Sequence, residues 1–162
     1  MADTGVKRTT KGDILANMRK LLGRDVLVGI PSTEAGREGS PINNAAILYI
    51  METGSPAAKI PPRPTVGPGI RDARGKIDKA MESAARAAIR GDAAGVEAAM
   101  NRAGIEAVSA IQQRIRSNTP PPLAESTLAK RRRRGVTRTN TLVDTGQMLK
   151  AVTYVIEKKG KN

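Results

Sequence analysis

The chain is predicted to fold as α+β: a small antiparallel sheet packed with long Ala-rich helices and an extended Pro-rich arm. Three observations lead there. Two short β-rich runs lie near opposite ends of the 162 residues, Asp25-Val26-Leu27-Val28-Gly29-Ile30 and Ala151-Val152-Thr153-Tyr154-Val155-Ile156, and such runs read as strands of one small sheet against helices. Two long helical periodicities occupy the middle of the chain. Before them, residues 54–69 hold Pro56, Pro61, Pro62, Pro64 and Pro68 with Gly54, Gly67 and Gly69, a spacing that argues against a helix or a central strand and leaves an extended arm or a rigid crossing.

Taken in order, residues 1–9 read as a polar N-terminal tail and 10–157 as one α+β domain carrying the arm at 54–69. Residues 158–162 read as a basic C-terminal tail. Thr10-Lys11-Gly12-Asp13 is a capping box with Asp in the usual Glu position, followed by Ile14, Leu15, Met18, Leu21 and Leu22 at helical spacing. Gly23 is placed to end that helix in a left-handed cap. The first strand follows and stops at Pro31. After a polar loop, Asn43-Asn44 precedes a short apolar helix over 45–51 that ends near Gly54.

Beyond the arm, Ile77, Met81, Ala84 and Ala88 mark a helix over about 70–90. Val96, Met100, Ala103, Ala107 and Ile111 mark a second over about 92–117, with the break at Arg90-Gly91-Asp92 explained by turn chemistry. Their small-residue seams allow close approach, either as a hairpin or against a neighbouring subunit. Residues 119–122 stop the second helix, 126–134 form a short basic segment, and Asp144 or Thr145 is placed to cap a brief helix before the last strand.

Composition limits what such a chain can do. Of 63 apolar residues 23 are alanine, and Phe and Trp are absent, so a large self-sufficient core is not expected. An elongated body or a subunit completed by its neighbours fits better. With no Cys and no His, disulfides, thiolate chemistry and histidine-based catalysis or zinc ligation are excluded. No apolar run approaches the roughly 18 residues of a membrane span, and no signal pattern opens the chain, so a soluble, non-enzymatic protein without a cofactor or metal is expected.

Lys and Arg outnumber Asp and Glu by 28 to 15, and residues 114–162 alone carry 12 positive and 3 negative side chains. Lys130, Arg131, Arg132, Arg133 and Arg134, with Arg138, form the densest cluster. It suits phosphates or an acidic partner, but no aromatic residue stands nearby to stack on bases. Leu142-Val143-Asp144-Thr145-Gly146 matches the loop of retroviral-type aspartic proteases, yet only sixteen residues follow it and the chain's centre is helical. Ser126 and Lys130 have the i, i+4 spacing of a Ser-Lys pair, with nothing in the sequence to depress the lysine's pKa. The glycines at 67 and 69 lack the lysine and spacing of a phosphate-binding loop.

Four segments in order carry a resemblance. They are Val26-Leu27-Val28-Gly29-Ile30; Glu52-Thr53-Gly54-Ser55-Pro56 through Ile60-Pro61-Pro62-Arg63-Pro64; Pro122-Leu123-Ala124-Glu125-Ser126-Thr127; and Leu142-Val143-Asp144-Thr145-Gly146-Gln147-Met148-Leu149 ending at Thr153-Tyr154. Together they resemble the tail-completion or neck proteins of tailed bacteriophages, also described as minor tail or virion morphogenesis proteins. Thr53 and Thr65 stand where that family has aromatic residues. The resemblance implies a virion structural subunit of the neck or tail, present in the host cytoplasm during assembly.

It further implies a cyclic homo-oligomer, six-fold to match a tail tube, that meets the tube or terminator and the head-tail connector proteins. In such a ring Ile60, Pro61, Pro62, Arg63 and Pro64 would carry intersubunit contacts, with the paired helices. Arg63 and the 130–134 run would face a neighbour or genomic DNA in the lumen, without reading its sequence. The alternative is a basic accessory nucleic-acid-binding protein using the 130–138 patch.

Overall fold

The computed structural model describes residues 10–160; the expected tail at 1–9 and the last two residues lie outside the described residues. Thr10 opens α1 (Lys11–Leu22) through the expected capping box: its hydroxyl oxygen accepts from Asp13 N at 3.2 Å, while its own N–H donates to Asp13 Oδ2 at 3.0 Å. Gly23 closes the helix with φ −83°, not in the left-handed form expected, because the chain runs directly into β1 (Arg24–Gly29). Asn43 starts α2 (Asn44–Thr53) by accepting from Ala46 N at 2.8 Å.

The Pro-rich segment is not an extended arm. Residues 55–60 close on themselves, with Ser55 and Ile60 exchanging backbone hydrogen bonds of 2.8 and 2.9 Å. Residues 66–69 are already the first turn of α3 (Val66–Ile89). Pro68 is tolerated there because the first N–H groups of a helix have no intrahelical partner to lose. Only the stretch around 61–65 is extended, and it lies against the chain's own body: Arg63 N donates to Met51 O at 2.6 Å, and the Arg63 side chain is 5% exposed.

Helices α3 and α4 (Ala93–Arg116) have 24 residues each, about 36 Å at 1.5 Å per residue, and pack along one another as a hairpin. The turn is built as its sequence predicts, with Gly91 at φ +73° and Asp92 accepting from Gly95 N at 2.8 Å. Ala73, Ala80, Ala84, Ala87 and Ala88 face Ala99, Ala103 and Ala107, and a Cβ on Gly69 would stand 2.9 Å from Ile111 Cα. Backbone contact this close is what a small-residue seam provides. Asp72–Arg114 at 2.8 Å and Lys76–Glu106 at 3.2 Å cross the hairpin at its surface.

β1 and β2 (Thr153–Lys158) pair antiparallel from Arg24↔Lys158 to Gly29↔Thr153 and lie on α4. The second strand is thus shifted from the expected 151–156. Lys158, expected to begin the tail, is its last residue. Alternation puts Val26, Val28 and Ile156 on one face. There Val26 and Ile156 meet a cluster with Leu21 and Met100, and Val28, farther along the strand, meets another with Leu48, Ile111, Ile115, Leu142, Met148 and Val152. Tyr154 lies on α4 where Gly104 leaves no side chain, and its hydroxyl donates to Asn101 Oδ1 at 2.8 Å.

Two short helices, α5 (Glu125–Arg133) and α6 (Gln147–Ala151), complete the α+β fold. Among the described residues ten of the eighteen buried apolar side chains are alanine, so each contributes little buried area and polar contacts carry more of the organisation.

Candidate functional site

Three charged side chains brace the regions in and around the resemblance segments, and each works on backbone groups left open by secondary structure. Glu52, in the last turn of α2, receives the start of α3: Oε2 accepts from Thr65 N at 2.7 Å and Val66 N at 3.1 Å, and Oε1 from Gly67 N at 3.1 Å. Those N–H groups have no helical partner, and a carboxylate at a helix N-terminus also meets the positive end of its dipole. The side chain of Thr65, the nominal cap, makes no such bond.

Arg63 reaches the segment before α5. Its Nε donates to Pro121 O at 2.8 Å and Nη2 to Pro122 O at 3.1 Å. Both carbonyls sit where prolines interrupt regular pairing, and the guanidinium's fixed fork takes both at once. Burial lowers the Arg63 pKa from its ordinary value, but a guanidinium stays charged at any physiological pH.

Arg131 is the third. It is 5% exposed; Nη1 donates to Arg138 O at 3.1 Å and Asn140 O at 2.6 Å, and Nε lies 3.7 Å from Asp144 Oδ1. Arg134 Nη2 meets Asp144 Oδ2 at 2.9 Å. Asn140 and Thr141 tie the same loop to the end of α4, through Arg116 O, Asn118 Oδ1 and Thr119 O.

This geometry changes the reading of the basic run. Arg131 is a buried brace, not a contact residue. Arg132 pairs with Glu125, Arg134 with Asp144, and Arg138 donates to Asp144 O at 3.4 Å. Lys130 and Arg133 are exposed and form no ion pair among the described residues. Asp144 is not a helix cap either, because its carboxylate faces two guanidinium groups. Gly146, at φ +84°, occupies the cap position of α6, and Thr145 Oγ1 accepts from Gln147 N at 3.4 Å. Ser126 and Lys130 are both exposed on α5.

Of the residues expected at an intersubunit contact, Pro61, Pro62 and Pro64 are exposed, Ile60 is half-buried and Arg63 is engaged within the chain. Among the described residues no cluster of three or more Asp, Glu, His or Cys could hold a metal ion. Glu52 and Arg131 were hidden from sequence reasoning. One stands fourteen residues before the first residue of the helix it caps, and the other is one arginine among four.

Thr65 is fully buried and its hydroxyl has no hydrogen-bond partner among the described residues. It occupies a position where the resemblance expects an aromatic ring. A buried hydroxyl without a partner costs roughly 1–3 kcal/mol. Thr65→Val, of nearly equal shape, is therefore expected to stabilise the chain by about 1 kcal/mol, raising Tm by roughly 2–4 °C. Thermal unfolding followed by circular dichroism checks this; an unchanged or lower Tm counts against the assignment.

Comparison with known protein families, curated proteins and solved structures gives no match.

Proposed function

We propose that the chain is a phage virion structural subunit of the tail-completion or neck type. In this reading copies form a ring, six-fold on a tail tube, between the tube or terminator and the head-tail connector. The observation that carries the proposal is the contact between two resemblance segments, Arg63 on Pro121 and Pro122, with Glu52 holding the start of α3 beside the Ile60–Pro64 stretch and Arg131 holding the loop that leads to Asp144. Residues some sixty positions apart are thereby held together.

The surface is consistent with a protomer that associates. Leu22 and Tyr49 are 68% and 69% exposed, and Leu15, Leu27 and Ile105 are about half exposed. Pro61, Pro62 and Pro64 present a rigid ridge for a neighbour. Because Arg63 is engaged within the chain, ring contacts in this reading would come from Pro61, Pro62 and Pro64 and not from Arg63.

Light scattering after size exclusion tests the proposal, with the chain alone and mixed with a tail-tube protein. A closed oligomer, alone or on the tube, is expected. A monomer at every concentration that never joins a tube would refute it.

A further inference from the structure

The fold gathers a second cationic surface from residues far apart in sequence. An open trough of about 560 Å³ lies where the end of α1 meets the end of the sheet, lined by Arg19, Lys20, Gly23, Arg24, Ile156 and Lys158. Lys159 follows, its backbone N–H donating to Gly23 O at 2.8 Å. Arg24 and Lys158 are direct cross-strand partners; Glu97 supplies the counter-charge of Arg24, while Lys158 makes no ion pair among the described residues.

Glu97 and Asp92 border the region and are engaged, while Asp25 and Glu157, the next cross-strand pair, stand on the opposite face of the sheet. Glu97 takes Arg24 at 2.7 Å, and that hydrogen bond holds its carboxyl below the usual range. Asp92, on a neighbouring small cavity shared with Lys20 and Arg24, caps α4. Arg19, Lys20, Lys158 and Lys159 are exposed and make no ion pair among the described residues.

The negative end of the α1 dipole accounts for cations in its last turn, but it amounts to about half a charge. It does not account for Lys158 and Lys159, at and just beyond the end of β2, which make no ion pair among the described residues. We propose that this trough binds the phosphates of a nucleic-acid backbone without reading base sequence. Point charges on flexible stems suffice for that contact. Ile156 is the only apolar side chain lining the trough, and it is half-buried; the exposed Leu22 adjoins Gly23 but is not among the lining residues, so the contact the trough itself offers is with charge. The site stands apart from the 130–138 run, most of whose arginines are engaged within the chain, and it does not depend on the assembly proposed above.

The test is binding of a fluorescein-labelled 20-bp duplex to the full chain across a salt series. The triple variant Arg19→Ala, Lys20→Ala, Lys158→Ala is compared with Lys130→Ala, Arg133→Ala, and with Lys20→Arg, Lys158→Arg. The triple variant is expected to lower the log Kd against log salt slope by about 2–3, at roughly 0.9 for each phosphate no longer neutralised. The α5 variant should change it by less than one, and the charge-keeping variant should bind as the parent does. The inference is overturned if the triple variant keeps the parental slope, if the α5 variant loses as much, or if polyglutamate of equal charge displaces the duplex as well as unlabelled DNA does.

Discussion

Replacing Arg63 with alanine is expected to lower the free energy of unfolding by about 3 kcal/mol, which a urea melt reads as an earlier midpoint. The side chain is buried, and its two donors satisfy Pro121 O and Pro122 O. Truncation leaves both carbonyls without partners and opens a void between the 61–65 stretch and the segment entering α5. The desolvation of the guanidinium offsets part of that loss, which holds the net effect to this size. Arg63→Lys restores the charge but not the fork, because one ammonium cannot reproduce the guanidinium's planar pair of bonds, so it should recover less than half the loss. Full recovery by lysine would show that charge alone mattered.

Gly104→Val is expected to destabilise by about 3 kcal/mol or more. A Cβ at residue 104 falls inside the space of the Tyr154 ring, at its inner atoms and not at its tip. The ring must then leave α4, and its hydroxyl loses Asn101. Ordinary helix propensity predicts the opposite sign, since glycine in mid-helix costs roughly 1 kcal/mol against alanine. A double-mutant cycle separates the two effects: with Tyr154→Ala in place, Gly104→Val should cost little or nothing. An equal loss in both backgrounds would mean that the strand does not seat on this glycine.

Local patterning made most of the fold legible. The capping box at Thr10 and Asp13, the 3.6-residue rhythm of the long helices and the Gly91-Asp92 break each depend on neighbours within a few positions. The structure reproduces them. The Pro-rich segment misled because proline content argues against helix interiors, whereas Pro68 lies in a first turn, where that argument lapses. Its extended part looked like a projecting arm because nothing near Arg63 in sequence reveals the carbonyls it binds, 58 and 59 residues away.

The candidate site was legible in composition but not in role. A run of five cations reads as one surface feature, yet the helical turn of α5 places Arg131 inward and its neighbours outward. Asp144 has a cap's residue type at a cap's distance from a helix, and only the position of Arg131 and Arg134 shows where its carboxylate is engaged. The cations of the trough belong to three elements that only tertiary structure unites.

Amide hydrogen exchange on the dilute protein, at a concentration where light scattering finds a single protomer, tests most directly whether the proline segment is fixed within one polypeptide. The N–H groups of Arg63, Thr65, Val66 and Gly67, which donate to Met51 O and the Glu52 carboxylate, should exchange far more slowly than an unstructured chain. Free exchange at those four amides in the protomer, with protection arising only on oligomerisation, would contradict the account.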